Sequence, residues 1–226
     1  MYVLSGGNTE TEQSNRSRLF DLIMQSPALY GMLQQLAQLH PAAYLGAGVL
    51  RNTVWAHLHG QSFDLNNCDI DVIYHDAMQT DECLQKQLQQ DLERIFPEQQ
   101  WDVVNQALVH TWYGQDNAAN IQPLLSLEHA LSLWPDTATA IAVRLNCAGE
   151  LELIAPFGLH DLFALRLCWN PALVSYDTFK QRVESKQWLQ QWPKLQLVDD
   201  AQIKKGLHLR PLGDALCLLF LAFVMT

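Results

Sequence analysis

Cys68-Asp69-Ile70-Asp71-Val72-Ile73-Tyr74 sets two carboxylates two residues apart inside an apolar, β-favouring run. Side chains alternate faces along a strand, so this spacing points Asp69 and Asp71 the same way while Ile70, Val72 and Tyr74 pack into a sheet. Two like charges held so close repel and raise each other's pKa unless a cation sits between them. Hard oxygen ligands of this kind suit Mg²⁺ or Mn²⁺, so a divalent metal is implied. About twenty residues upstream, Leu45-Gly46-Ala47-Gly48-Val49-Leu50-Arg51-Asn52 reads as a strand end, a small-residue turn and the start of a helix. Such a turn can expose backbone N–H groups to phosphate.

The whole chain has 226 residues, 49% of them hydrophobic, which is enough for one large or two small domains with a real core. Its formal charge of −10 argues against a sequence-independent grip on DNA or RNA, because that affinity comes from Lys and Arg neutralising phosphates. The cysteines Cys68, Cys83, Cys147, Cys168 and Cys217 form no C-x-x-C pair, and their odd number fits reduced thiols. The polar first fifteen residues carry no secretory h-region, so a cytoplasmic location is expected. The apolar run from Ala215 to Met225 is too short to span a bilayer and reads as a buried terminal helix, with no membrane partner.

Periodicity organises the rest. Apolar residues recur at helical spacing over Arg18 to Gln25 and Pro27 to His40, with Ser26 placed as a cap and Pro27 in the first helical position. A short strand, Ala43 to Leu45, leads into the glycine turn, and the following helix, Val49 to His59, ends at Gly60. Asp81 to Ile95 reads as an amphipathic helix with Cys83, Leu84, Leu88, Leu92 and Ile95 on one stripe. Trp101 to Val109 has the composition of a central strand. The order strand, helix, strand predicts a βαβ crossover that brings Asp102 towards Asp69 and Asp71. Ala138 to Leu145 and Leu151 to Ala155 read as a β-hairpin, and helices are expected over Leu127 to Leu133, Asp161 to Leu167 and Tyr176 to Gln191, the last with Phe179, Val183 and Trp188 inward. His57 and His59, two apart on a helix, face different directions and read as core or surface residues, not as a shared metal site. His110 and Trp112 suit either a pocket lining or the core.

The blocks GAGVLRNTVWAHLHG, DIDVIYHD, WDVVNQALVHTWYG and TATAIAVRL followed by LELIAPFGLHDLF resemble a bacterial nucleotidyltransferase family of the polymerase-β-like superfamily, over about Tyr44 to Pro193. The glycine turn departs from the superfamily's usual Gly-Gly or Gly-Ser. The resemblance implies an α+β fold, a mixed sheet flanked by helices, with helical additions. Its domain reading is a flexible segment over 1–15, a nucleotidyltransferase domain over 16–170, and a helical extension over 171–226 packed on that domain. It implies an enzyme that moves a nucleoside monophosphate from an NTP to a hydroxyl, with Mg²⁺ (or Mn²⁺) required and pyrophosphate leaving. In such enzymes the paired aspartates hold metal on the nucleotide's phosphates, and a third carboxylate binds a second ion or activates the attacking hydroxyl. Asp69 and Asp71 match the family positions. Asp102 is the favoured third carboxylate and Glu152, on the second arm of the hairpin, the alternative. Gly46 and Gly48 would let backbone amides approach the triphosphate, with Arg51 or Asn52 touching a phosphate oxygen. Equally, the glycines serve tight strand-to-helix packing, and Arg51 pairs with a surface carboxylate. The acceptor expected for so acidic a chain is a small molecule or a protein; the rival reading is a non-catalytic nucleotide-binding or protein-interaction module on the same fold.

Overall fold

The computed structural model describes residues 9–111 and 122–198. Two helices open the described chain, α1 (Thr9–Gln25) and α2 (Pro27–Leu39). Helix α1 starts well ahead of the expected Arg18, and Asn15, Leu19 and Ile23 are its buried face. The predicted cap is formed: the Ser26 hydroxyl accepts from the Leu29 N–H at 3.3 Å, with Pro27 in the first turn, where it sacrifices no helical hydrogen bond.

Strand β1 (Tyr44–Gly46) runs straight into α3 (Ala47–His59), which Gly60 ends in the left-handed conformation at φ 67°. Next come β2 (Asp69–Tyr74), α4 (Cys83–Ile95) and β3 (Gln100–Asn105). Helix α5 (Leu127–Ser132) precedes the hairpin of β4 (Ala142–Leu145) and β5 (Leu151–Ile154). The sheet order is β3-β2-β1-β4-β5. β2 and β3 are parallel, as the crossover predicts, and the other three pairings are antiparallel.

Four expectations are corrected. The strand from Trp101 stops at Asn105, because the Asn105 side chain accepts from the Ala107 N–H at 3.1 Å and turns the chain into a short 3₁₀ segment. The helix expected over Asp161 to Leu167 is only α6 (His160–Phe163): Leu165 takes a φ of 56°, and Arg166–Leu167 (β6) pairs in parallel with Gln196–Leu197 (β7). The helix expected over Tyr176 to Gln191 is split into α7 (Tyr176–Ser185) and α8 (Trp188–Gln191) at Gln187, whose φ is 52°. On α4 only Leu88 and Leu92 of the expected stripe are buried; Cys83, Leu84 and Ile95 are exposed.

One sheet face carries Leu45, Ile70, Val72, Tyr74, Trp101, Val103 and Val143 into a core completed by α1 to α4 and by Phe179, Val183, Trp188 and Trp192. At about 1.5–3 kcal/mol for each large side chain removed from water, this cluster dominates the stability of the sheet. The opposite face carries Tyr44, Ile73, Val104 and Ala142, packed against Leu127, Ala130, Leu131 and Trp134. By strand alternation Asp71 and Asp102 lie on this second face, beyond the apolar patch. Among the described residues no helix is long and apolar enough to cross a membrane. The apolar run over 215–225, with Cys217, and Trp112 lie outside the described residues.

Candidate active site

The register of three strands assembles the site. Gly46 pairs with Asp71 across β1 and β2, and Asp71 pairs with Asp102 across β2 and β3, so the end of the glycine turn and two carboxylates lie in one row. Neighbouring strands lie about 4.8 Å apart, which leaves like charges in mutual range. The position of Asp102 is secured by Asn105 at the end of its strand. There the fully buried Asn105 amide donates to the Asp76 carbonyl at 2.8 Å and its oxygen accepts from the Asp76 N–H at 3.0 Å.

Electrostatics follow from that crowding. Burial, and then the facing charge of Asp102, push the Asp71 carboxyl up to about 7, against the opposing pull of the Gly48 N–H, Arg182 and Arg51. Burial and the charge of Asp69 push Asp102 up to about 6. Cys68 is driven up to about 12, by burial first and then by Asp71 and Asp69, so it stays a neutral thiol.

The glycine turn differs in detail from its sequence reading. Its strained residue is Ala47, at φ 51°, a left-handed conformation that costs a non-glycine residue about 1 kcal/mol or more. The Ala47 N–H donates to the Ile141 carbonyl at 3.1 Å and the Gly48 N–H donates to Asp71, so these two amides bind the sheet and the carboxylate. Gly48 faces both groups: a Cβ there would stand at ordinary contact distance, 3.8 Å from Arg51 Nη2 and 3.9 Å from Asp71 Oδ2.

Arg51 is buried, against the reading that pairs it with a surface carboxylate. Its Nη1 donates to Thr139 Oγ1 at 2.9 Å, and its Nε and Nη2 donate to Asn52 Oδ1 at 3.3 and 3.1 Å. Asn52 therefore orients Arg51. The guanidinium also lies over the rings of Trp55 and Trp188, at 4.9 and 4.2 Å from their centroids. Burial lowers its pKa to about 10, so it remains charged at neutral pH.

A cavity of about 220 Å³ opens at this point, lined by Ala47, Gly48, Arg51, Asn52, Cys68, Asp69, Asp71, Thr139, Arg182, Lys186, Trp188 and Gln191. The sequence reading missed Thr139, Arg182, Lys186 and Gln191. A signal for Arg182 was present, since it sits on the same helical face as the inward Phe179.

Glu152 lies elsewhere. It is on β5, separated from β2 by β1 and β4, roughly 14 Å away at about 4.8 Å per strand spacing. Its Oε2 accepts from Arg144 at 2.6 and 2.8 Å and its Oε1 from Asn146 at 3.1 Å. His57 is exposed on a different face of α3 from His59, whose ring meets the Trp55 carbonyl and the Lys194 N–H.

Among the described residues no group of three or more His, Cys, Asp and Glu is gathered closely enough to hold a metal ion unaided. The donor set still fits a magnesium ion that arrives with a nucleotide. Mg²⁺ typically takes one or two carboxylates and completes its shell with phosphate oxygens and water. Asp69 and Asp71 line the same cavity as Arg51, and a cation there would offset the burial, and then the neighbouring carboxylate charge, that raise Asp71 and Asp102.

Comparison with known proteins agrees with this geometry. A family model described as nucleotidyltransferase matches residues 34–197, well over half of the chain. Among solved structures, one described as a CCA-adding enzyme head domain is similar at 26% identity and a TM-score of 0.68, covering 81% of this chain and 95% of that one. The Thermotoga maritima CCA-adding enzyme complexed with tRNA shares the fold at 14% identity and a TM-score of 0.53. A CCA-adding enzyme complexed with CTP does so at the same identity and score. This chain covers 82% of its own length in these two matches but only 43% and 44% of those enzymes. No curated protein matches the sequence. With its mixed sheet, its acidic row and a family match spanning both, the chain belongs to the nucleotidyltransferase family, within the polymerase-β-like superfamily.

Proposed function

We propose that the chain transfers a nucleoside monophosphate from an NTP to a hydroxyl group, with Mg²⁺ (or Mn²⁺) bound and pyrophosphate released. The observation that carries this reading is the row Gly46, Asp71, Asp102, with Asp69 and Arg51 lining the same cavity as Asp71. Asp69 and Asp71 would hold the metal, with Asp102 as the third carboxylate. When bound, the ion supplies charge stabilisation to the phosphates.

The chain's own residues supply the rest. Arg51 is pinned by Asn52, Thr139 and two tryptophans, so its guanidinium is oriented before a phosphate arrives and loses little freedom in binding it. Asp102, raised to about 6, is ionised at neutral pH yet basic enough to take a proton from the attacking hydroxyl. Glu152 is already committed to Arg144, which supports Asp102 over it.

The acceptor is proposed as a small molecule or a protein side chain in the cytoplasm. A formal charge of −10 disfavours a long polyanion such as tRNA, although the neighbour solved with tRNA has this fold. The test is pyrophosphate release from each NTP, with and without Mg²⁺. Release should require the metal and disappear in Asp69→Asn and Asp71→Asn proteins that keep the wild-type circular dichroism. Release that survives both substitutions, or that ignores the metal, contradicts the proposal.

A further inference from the structure

Asp136 lies in the link between α5 and β4, fully buried, and is not among the residues that line the cavity. Its Oδ1 accepts from the Thr139 N–H at 2.8 Å, while its Oδ2 is buried with no hydrogen-bond partner among the described residues. A turn of this kind needs only an acceptor, and Asn or Ser would supply one without bringing a charge into the interior. A buried carboxylate with one oxygen left unbonded is costly unless a cation faces it. Arg51 is that cation. The charge of Asp136 is the strongest influence opposing the burial that lowers the Arg51 pKa, ahead of Asp71 in the cavity itself. Thr139 joins the two, since its N–H is held by Asp136 and its Oγ1 accepts from Arg51 Nη1 at 2.9 Å. The anchor is itself fixed. The buried Asn170 donates through Nδ2 to the Ser132 and Trp134 carbonyls at 2.8 Å each, and its N–H donates to the Pro135 carbonyl at 2.8 Å. Just past Asp136, the Thr137 N–H donates to the Cys168 carbonyl at 3.1 Å. The segment is therefore clamped on both sides of the carboxylate.

We propose that Asp136 is the positioning residue of Arg51: from outside the cavity, through Thr139 and through its own charge, it holds the guanidinium ready for the nucleotide and keeps it from closing on Asp71. This rests on the transfer reading above. Arg51 and Asp71 line one cavity, and a guanidinium free to turn would satisfy itself by a forked pair with a carboxylate so near. Such a pair would occupy both groups at once. With the stronger attraction lying outside the cavity, and with Nη1, Nε and Nη2 bonded to Thr139 and Asn52, the guanidinium keeps its place and Asp71 is left open. Asp136 touches no reacting atom in this arrangement; its influence passes through Arg51.

A double-mutant cycle on the full chain tests the proposal, read by calorimetry with ATP, CTP, GTP and UTP in the absence of divalent metal. Asp136→Asn keeps the shape and an acceptor for the Thr139 N–H and removes the charge; Asp136→Ser, smaller and still an acceptor, is the second variant if the first does not fold. Each is measured in the wild-type background and beside Arg51→Gln. Removing a negative charge near a polyanion should by itself tighten binding. The proposal predicts the reverse: about fivefold weaker NTP binding with Arg51 present, and a change of less than about twofold once Arg51 is Gln. Tighter binding would overturn it, as would equal weakening in both backgrounds, because a merely structural carboxylate acts regardless of Arg51. No binding of any NTP by the wild type would overturn it as well. Failure of the transfer reading gives a different pattern: no pyrophosphate from any NTP, while the coupling of Asp136 to Arg51 in binding persists and still supports the proposal.

Discussion

The two halves of the sheet treat their charges in opposite ways. On the β4–β5 hairpin, Arg144 and Glu152 satisfy each other at 2.6 Å, half exposed to water, and Arg144 also covers the ring of Tyr44. On β2–β3, Asp71 and Asp102 stand side by side with carboxyl pKa values pushed up to about 7 and about 6. The first arrangement is complete as it stands. The second is a conflict that the fold sustains, held in place by a parallel register and a buried asparagine. A conflict of this kind persists when something that binds there resolves it, which makes unsatisfied charge a better guide to the site than the number of charges.

The largest expected effect breaks the contrast at its acidic end. Asp71→Asn should reduce pyrophosphate release about 10³-fold, the scale of losing an electrostatic contact to the reacting phosphate, whereas Glu152→Gln should change it less than about twofold. Steady-state kinetics on the two purified variants checks this, and comparable losses in both would erase the distinction.

Removing Arg51 comes next. Arg51→Ala leaves the fully buried Asp136, whose charge faces Arg51, without its cationic neighbour and opens space against Trp55 and Trp188. A loss of about 3 kcal/mol in urea unfolding is expected, as for other buried charges stripped of a partner.

A pH titration separates the two halves without mutation. Because Asp71 and Asp102 have folded pKa values above the ordinary 3.8, the folded chain binds more protons than the unfolded one between about pH 4 and 7. Their contribution is fully present below pH 4 and is lost as pH rises through 6 and 7. Glu152 is held below its ordinary range by Arg144, so it contributes in the opposite sense, at more acid pH. The metal-free Asp71→Asn protein should therefore outlast the wild type at pH 8 by on the order of 2 kcal/mol, and the gap should close at pH 4. A gap of equal size at both pH values would contradict the assignment.

The smallest effect belongs to the satisfied pair. Arg144→Ala removes an exposed ion pair and should cost about 1 kcal/mol or less in chemical denaturation.

Much of this contrast was legible in the sequence. The Asp-x-Asp spacing fixes a shared face because strand periodicity is two, and the βαβ order predicts that Asp102 arrives beside Asp71, as the parallel register shows. The sequence favours Asp102 over Glu152 without deciding between them, because the choice depends on strand order, which no local pattern encodes. The arrival of Arg182 and Lys186 at the cavity was invisible for a similar reason. They line it from α7 and its C-terminal cap, and the chain goes on to Trp188 and Gln191 through a left-handed Gln187, a break that nothing in the propensity of a Lys-Gln-Trp run announces. The early end of β3 was equally hidden, since it turns on one side-chain hydrogen bond from Ala107 to Asn105.

The central claim is that Asp69 and Asp71 exist to hold a divalent ion against a triphosphate. A crystal structure with Mn²⁺ and a non-hydrolysable NTP, read by its anomalous signal, tests it directly. The expected result is a peak about 2.2 Å from oxygens of both aspartates and of the triphosphate. A nucleotide bound with no metal at these two carboxylates, or a metal held at Glu152, would contradict it.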